Sequence, residues 1–251
     1  MKPKFLIATL TSCSGCIANL TSLDLFKDFL EKADIVYFTF MKDNDKIEEC
    51  DIALIEGCVT EDTQIRTLKQ IRKKAKQVIA LGTCAAFGGI VNLNKEKRGD
   101  PISDHIEIDG MIPGCPPPSK LLGNALFNLL ENKPIELSNK NLCYNCPLRG
   151  DLHKEFDIEI DSLIPNEEMS ERLFPKCFLE YGILCLGPIT RDGCDCECIK
   201  LGIPCEGCMG PIDKDYTASL INFLSLLKLS KDLRNYEGLF FRFSKPKKIS
   251  E

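Results

Sequence analysis

Residues 4–16, KFLIATLTSCSGC, join a short apolar run to two cysteines spaced as Cys-x2-Cys. The apolar run at residues 4–10 predicts a β-strand, and apolar residues at helical spacing from Ile17 to Leu30 predict a helix directly after it. Further short apolar runs predict three more strands, at residues 35–40, 52–56 and 78–81. A helical pattern also separates the last two of these runs. The first part of the chain is therefore expected to alternate strands and helices.

The predicted strands are apolar throughout, which is typical of strands buried on both faces of a parallel sheet. Their alternation with helices implies right-handed crossovers and a doubly wound, flavodoxin-like α/β fold. We expect this first domain to span residues 1–135. From residue 136 the periodicity fades, and nine of the 15 cysteines fall between residues 143 and 208. Residues 136–251 are expected to form an irregular, cysteine-rich second domain with a C-terminal helix near residues 217–228.

The composition excludes several classes of protein. A net charge of −5 over 251 residues disfavours nucleic acid as the main partner, because phosphate binding needs a basic face. No run of 18 apolar residues predicts a membrane span, and the apolar start is too short for a signal peptide. An odd number of cysteines, in a chain long enough to have a core, favours bound metal over disulfides. We therefore expect a cytoplasmic metal protein.

The cysteines fall into groups. In the first domain, Cys13 and Cys16 follow the first predicted strand, Cys84 follows the fourth, and Cys115 lies in a proline-rich elbow. Because sites in open α/β sheets form beyond the carboxyl ends of the strands, these four thiols are expected to converge. The second domain holds the remaining groups: Cys143 and Cys146, Cys177 and Cys185, Cys194, Cys196 and Cys198, and Cys205 and Cys208.

Sets of four thiolates suit either zinc or an iron–sulfur cluster. Only two histidines accompany the cysteines, although zinc proteins often use histidine as well, and three sites in one modest chain suit an electron relay. These features favour iron–sulfur clusters, with structural zinc as the alternative. No Ser/His/Asp set and no phosphate-binding loop is present, so no catalytic residue is assigned.

Several motifs together resemble the small subunit of nickel–iron hydrogenases. They are Cys13-x2-Cys16 after an N-terminal strand, Glu56-Gly57, Gly82-Thr83-Cys84-Ala85-x2-Gly88-Gly89, Pro113-Gly114-Cys115-Pro116-Pro117, Cys185-Leu186-Gly187-Pro188-Ile189-Thr190 followed by Cys194, and Pro204-Cys205-x2-Cys208. The likeness runs over residues 5–215. It is closest to the soluble archaeal type, the delta subunits of the sulfhydrogenases and NADP-linked hydrogenases.

The resemblance implies three [4Fe–4S] clusters, each held by four cysteines. The proximal cluster would be held by Cys13, Cys16, Cys84 and Cys115. The medial cluster would be held by Cys194, Cys198, Cys205 and Cys208. The distal cluster would be held by Cys143, Cys146, Cys177 and Cys185. The commonest members of the family have a histidine in place of Cys143 and a proline in place of Cys198. Both differences imply a complete all-cysteine cluster at these sites.

Three cysteines lie outside these sets. Cys50 and Cys58 are interpreted as small buried residues, although Cys58 follows the Glu56-Gly57 strand end and is a candidate neighbour of the proximal set. Cys196 is the alternative to Cys198 as the fourth medial ligand. Glu56 is interpreted either as a carboxylate that accepts hydrogen bonds at the sheet edge or as a polar group near a subunit interface.

The resemblance implies the electron-transfer small subunit of a cytoplasmic nickel–iron hydrogenase. The Ni–Fe centre, where H2 is converted to two protons and two electrons or formed from them, would lie on a partner large subunit. The other partner is expected to be a flavin or iron–sulfur electron-acceptor subunit. Two alternatives are the iron–sulfur subunit of a nickel-free reductase and a zinc-stabilised binding protein without a redox role.

Overall fold

The computed structural model describes residues 2–41, 46–94, 96, 98–150, 158–163, 176–212, 216–229, 240–241 and 243. These residues form two compact units. The described residues of Met1–Glu136, together with Phe243, make up the first unit, and those of Leu137–Arg242 make up the second. Within the described part of the chain, no helix combines the length and apolar character that a membrane crossing needs.

A five-stranded parallel sheet forms the centre of the first unit. The strands follow one another in the spatial order β2-β1-β3-β4-β5, and their bounds are β1 (Lys4–Thr9), β2 (Asp34–Phe38), β3 (Cys50–Glu56), β4 (Ala75–Leu81) and β5 (Gly110–Ile112). This is the strand order of flavodoxin-like sheets, so the predicted fold class is confirmed. The sequence pattern did not predict β5, because three residues are too few to show a period.

Five helices cover the two faces of this sheet: α1 (Gly15–Thr21), α2 (Phe26–Lys32), α3 (Asp62–Lys74), α4 (Gly82–Phe87) and α5 (Ser119–Leu130). The single helix predicted from Ile17 to Leu30 is wrong, since α1 and α2 are separate. The side chains at the break bond to the backbone of the preceding turn. The Thr21 hydroxyl donates to the Ile17 carbonyl at 3.1 Å, and the Ser22 hydroxyl donates to the Asn19 carbonyl at 2.9 Å. Such local bonds compete with helix continuation.

The core of the first unit has two layers, because successive side chains of a strand point to opposite faces. Phe5 and Ile7 of β1 pack in one apolar cluster with residues of α1, α2 and α5. Leu6 and Ala8 pack in a second cluster with residues of α3 and α4. All four side chains are at most 4% exposed, so β1 is buried on both faces of the sheet.

At the amino ends of the strands, Asp51 links β3 to its neighbours. Its carboxylate accepts a hydrogen bond from the Lys4 backbone N–H at 2.8 Å and forms an ion pair with the Lys76 ammonium at 2.7 Å. These contacts, the Lys4 N–H first, hold the pKa of Asp51 below its ordinary value. The Asp51 carboxylate therefore stabilises the folded state at any pH at which it is ionised.

The second unit has little regular structure but a defined apolar core. Its elements are the parallel pair β6 (Ile158–Ile160) and β7 (Leu227–Leu229), the short helix α6 (Glu197–Lys200) and the longer helix α7 (Tyr216–Ser225). Single 3-10 turns at Leu142–Tyr144, Phe178–Tyr181 and Gly187–Ile189 link them. Phe178, Phe223 and Phe241 lie in the core beside the buried thiols of Cys185, Cys196 and Cys205. The cysteines are therefore part of the packing as well as candidate ligands.

Candidate iron–sulfur centres

The carboxyl ends of four strands lie side by side in the first unit. Thr9 of β1 pairs with Glu56 of β3, Glu56 with Leu81 of β4, and Leu81 with Ile112 of β5. A cysteine follows each of these strand ends within four residues, namely Cys13, Cys58, Cys84 and Cys115. The strand register therefore brings the four cysteine-bearing segments to one edge of the sheet. This edge includes the β1/β3 junction, where flavodoxin-like sheets bind their ligands.

The thiols at this edge lie close enough to interact electrostatically. The pKa of Cys84 is raised to about 12, first by burial and then by the charges of the neighbouring thiols Cys58, Cys115 and Cys13. The pKa of Cys16 is raised by burial first, then by Glu56, Cys84 and Cys115. The structure thus brings together all four residues predicted for the proximal set. We call Cys13, Cys16, Cys84 and Cys115 the edge cysteines.

Cys58 is a fifth thiol beside the edge cysteines. It is fully buried, and its Sγ lies 3.6 Å from the Thr11 carbonyl, to which it donates. It is also the first of the charged neighbours that raise the pKa of Cys84. Both interpretations from sequence therefore hold for this residue, since Cys58 is packed and lies near the edge cysteines. Cys50 is buried at the opposite end of β3.

Hydrogen bonds from two elements hold the edge cysteines in place. Glu56 is 1% exposed, and its Oε1 accepts a hydrogen bond from the Cys16 backbone N–H at 2.9 Å. Thr83, next to Cys84, exchanges two hydrogen bonds with Gly114, next to Cys115. The Thr83 N–H donates to the Gly114 carbonyl, and the Gly114 N–H donates to the Thr83 hydroxyl, both at 3.0 Å. The backbones that carry three of the four thiols are thereby fixed.

Two glycines let these thiols lie directly against the backbone. Gly82 has φ +80°, and a Cβ built on it would lie 2.3 Å from the Cys16 Sγ. Gly89 has φ +63°, and its Cβ would lie 2.5 Å from the Cys84 Sγ. L-residues with a side chain rarely adopt such φ values, and the space at both positions is already taken by sulfur. The glycines of the Gly82–Gly89 motif are therefore required by the thiol arrangement.

A second group of thiols lies in the second unit. Burial raises the pKa of Cys143, as do the neighbouring thiols Cys185, Cys177, Cys146 and Cys196. The pKa of Cys185 is raised to about 11, mainly by burial, while N–H groups of Gly187 and Cys205 donate to its sulfur and Cys177 and Cys146 lie close by. The four residues predicted for the distal set therefore lie together. Gly187 separates two of them, since its Cβ would lie 3.2 Å from the Cys143 Sγ and 3.6 Å from the Cys185 Sγ.

The residues predicted for the medial set are brought together in pairs. Cys194 interacts with Cys198, which is exposed on α6, and Cys205 interacts with Cys208. Cys205 also connects to the second group, because its N–H donates to the Cys185 Sγ at 3.3 Å. The first pair begins before α6 and ends on it, and the second pair follows α6 in the sequence.

Cys196 occupies a different position from Cys198. It is 1% exposed, has φ +56°, and its Sγ lies 3.8 Å from the Leu142 carbonyl. Its pKa is raised to about 12 by burial and then by Cys146 and Cys194. The Cys196 thiol thus points into the core between the two groups, whereas Cys198 is open to solvent.

Arg191 lies between the distal and medial motifs, and its sequence position is compatible with an exposed residue or with a donor to cluster sulfurs. Its guanidinium donates to the carbonyls of Ser138 and Ile212 and so joins the two ends of the cysteine-rich segment. The interpretation as an exposed residue is not supported, because these hydrogen bonds are partly buried. Through them, Arg191 anchors the backbone around the Cys194 loop.

The donor set fits iron–sulfur chemistry, since every predicted ligand is a cysteine sulfur. Burial is the largest cause of a raised thiol pKa at eight of the predicted ligands: Cys16, Cys84, Cys115, Cys143, Cys177, Cys185, Cys194 and Cys205. Without a bound metal, these thiols therefore stay protonated at neutral pH. Metal binding would therefore release protons. Among the described residues, no three Cys, His, Asp or Glu side chains lie close enough together to ligate a single metal ion.

Comparison with known proteins identifies the relatives of the chain. The family model described as the NADH ubiquinone oxidoreductase 20 Kd subunit matches residues 13–129, which lie in the first unit. One of the subunits of the F420-non-reducing hydrogenase vhu of Methanocaldococcus jannaschii is 33% identical, over 86% of this chain and 85% of that protein. The small subunit 1 of the periplasmic nickel–iron hydrogenase of Nitratidesulfovibrio vulgaris is 30% identical, over 62% of this chain and 54% of that protein.

Solved structures agree on the fold. A chain of the Ni-Fe-Se hydrogenase from Desulfomicrobium baculatum matches with a TM-score of 0.61 over 87% of this chain and 98% of that one, at 21% identity. The match to the Methanocaldococcus protein extends beyond the first unit into the cysteine-rich half, where the family model does not reach. Both halves therefore support the resemblance that the motifs indicated. The chain belongs to the family of nickel–iron hydrogenase small subunits.

Proposed function

We propose that this hydrogenase subunit relays electrons through three [4Fe–4S] clusters between a Ni–Fe site on a large subunit and a second redox partner. The observation that carries the proposal is the convergence of the edge cysteines at the carboxyl edge of the sheet. The proximal cluster would be held there. Bound clusters of this type supply one-electron transfer, and two such transfers account for the two electrons of one H2.

The residues around the edge cysteines would orient the cluster and exclude water. Glu56 fixes the Cys16 backbone, and the paired bonds between Thr83 and Gly114 fix the segments that carry Cys84 and Cys115. Cys13 and Cys115 are exposed, so this side of the site needs a cover. The same edge exposes large apolar side chains after β2 and α4, those of Phe40 (58%), Met41 (62%) and Ile90 (51%). We propose that the large subunit binds here.

In the second unit, Cys143, Cys146, Cys177 and Cys185 would hold the distal cluster, and Cys194, Cys198, Cys205 and Cys208 the medial one. Cys198 is favoured over Cys196 because it is exposed on α6, whereas the Cys196 thiol faces the core. The medial and distal clusters would pass electrons on to a flavin or iron–sulfur partner subunit. A cytoplasmic location is part of the proposal.

The test is to co-express the chain with its large subunit and purify the complex without oxygen. We expect about twelve irons and as many sulfides per small subunit, together with H2-dependent reduction of a viologen dye. Cys115→Ser should remove about a third of the iron. Cys50→Ser is the matched control, because Cys50 lies at the other end of β3, and this variant should keep all of it.

Other outcomes would contradict the proposal in distinct ways. Colourless protein that carries zinc would identify a structural metal protein without a redox role. Brown protein with full iron that associates with no nickel-bearing subunit would identify a nickel-free reductase. The interface is tested by Phe40→Asp, which should lose the large subunit, against Phe127→Asp at a similarly exposed position on α5, which should keep it. Equal binding by the two variants would put the interface elsewhere.

A further inference from the structure

Asp192 is a buried carboxylate between the two cysteine groups of the second unit. It is 8% exposed. Its Oδ1 accepts a hydrogen bond from the Gly193 N–H at 2.7 Å, and its Oδ2 accepts one from the Asn145 side-chain amide at 2.6 Å. Both partners are N–H donors, so each carboxylate oxygen accepts a hydrogen bond. The side chain is therefore a carboxylate held in place inside the unit.

The two hydrogen bonds of Asp192 lead to different cysteine motifs. Gly193 directly precedes Cys194, and Asn145 lies between Cys143 and Cys146. The backbone repeats this link, since the Asp192 N–H donates to the Lys140 carbonyl at 3.0 Å. The segment that carries the distal pair is thereby held against the loop that starts the medial set.

Asp192 lies on the medial side of this link. It stands two residues before Cys194 in the chain. Its Oδ1 accepts from the N–H of Gly193, the residue between Asp192 and Cys194. The carboxylate therefore belongs to the loop that starts the medial set.

We propose that Asp192 is a positioning residue that lowers the reduction potential of the medial cluster while holding its loop against the distal one. The inference rests on the proposed function, because it requires the medial cluster to be present. A negative charge near an iron–sulfur cluster disfavours the extra electron of the reduced state, and low dielectric in a buried site strengthens the effect. The hydrogen bond to Asn145 keeps the carboxylate in place.

The test is Asp192→Asn in the complex with the large subunit, studied by EPR-monitored redox titration. The substitution keeps the shape, and rotation of the Asn145 amide lets the two side chains remain hydrogen-bonded. The medial signal is identified as the one that Cys205→Ser alters. We expect its midpoint potential to move in the positive direction, and by more than the proximal and distal potentials do.

Asp195→Asn is the matched control, because it removes the same charge from an exposed position next to Cys194. Its shift should be smaller, since solvent screens the exposed charge. The double variant Asp192→Asn/Asn145→Asp moves the carboxylate toward Cys146, so the distal potential should fall while the medial one stays raised.

Two results would overturn the inference. In the first, the spectra show all three clusters, but Asp192→Asn shifts the medial potential no more than Asp195→Asn does. That outcome leaves the proposed function intact. In the second, the unmodified complex shows no medial signal at all, which contradicts the proposed function and this inference together.

Discussion

Gly82→Ala should empty the proximal site and leave the other two clusters in place. The backbone at Gly82 has φ +80°, where a residue with a side chain costs about 1–2 kcal/mol. The new methyl group would also lie 2.3 Å from the Cys16 Sγ. Carbon contacts favour about 3.5–4.0 Å, so the sulfur must move by more than about 1 Å. Metal sites tolerate ligand displacements of about 0.2 Å, several times less than this movement.

The assay is the iron content of the complex with the large subunit, purified without oxygen, together with its EPR spectrum. About eight of about twelve irons should remain, and the signals of the second unit should persist. Gly182→Ala is the control, because Gly182 has a similar φ of +72° but its Cβ would face oxygens of Asp161 and Glu159 at 3.1 Å. Gly182→Ala should lower the free energy of unfolding by a similar amount and keep all the iron.

The reasoning is refuted if Gly82→Ala retains a full complement of iron and an unchanged proximal signal. It is equally refuted if Gly182→Ala loses the proximal cluster as well, because backbone strain would then be sufficient without any displacement of a thiol. Hydrogen uptake with a viologen dye gives an independent check. Only Gly82→Ala should lose it, since the electrons would no longer leave the large subunit.

Three further predictions concern single groups. Glu56→Ala leaves the buried Cys16 N–H without an acceptor and should lower the free energy of unfolding by about 1–3 kcal/mol, whereas Glu56→Gln, measured in the same denaturant titration, should recover most of it. Cys198→Ser should lose medial iron, and Cys196→Ser should keep it; full iron in Cys198→Ser would reverse the assignment. Because its pKa is lowered on folding, Asp51 contributes stability above its unfolded-state pKa of about 3.9, and this is lost as pH falls through the folded value. The stability gap between Asp51→Asn and the unmodified chain should therefore narrow in acid, and a constant gap would contradict this.

The features that the sequence predicted correctly are those in which a single local rule determines where a residue lies. Parallel strands place their carboxyl ends at one edge, so the approach of Cys13 and Cys84 followed from the strand pattern alone. The fold class followed from the same pattern. The split between α1 and α2 was missed because Thr21 and Ser22 lie between the apolar positions and leave their helical period uninterrupted, while their hydroxyls bond the backbone.

Contacts between distant residues were beyond any local pattern. Cys58 lies next to Cys84 because of the register between β3 and β4, which the composition of neither strand reveals. The hydrogen bond between Asn145 and Asp192 joins residues 47 positions apart. The assignment of individual cysteines to clusters came from the family resemblance, and it stays a prediction until the variants are measured.

The side-by-side strand ends also bear on how the first unit forms. The edge cysteines span residues 13–115, and the sheet that gathers them requires β1, β3, β4 and β5 to pair in one register. Strands so far apart in the sequence pair slowly, because the chain between them must close into a loop, at a cost in entropy, before the stabilising contacts form. A slip of one residue in β1 would move Cys13 by about 3.3 Å and turn the wrong side chains toward each layer. Under the proposed function, proximal iron would therefore be acquired only by chains whose sheet is already correctly paired, and cluster colour during refolding would report the register of the strands.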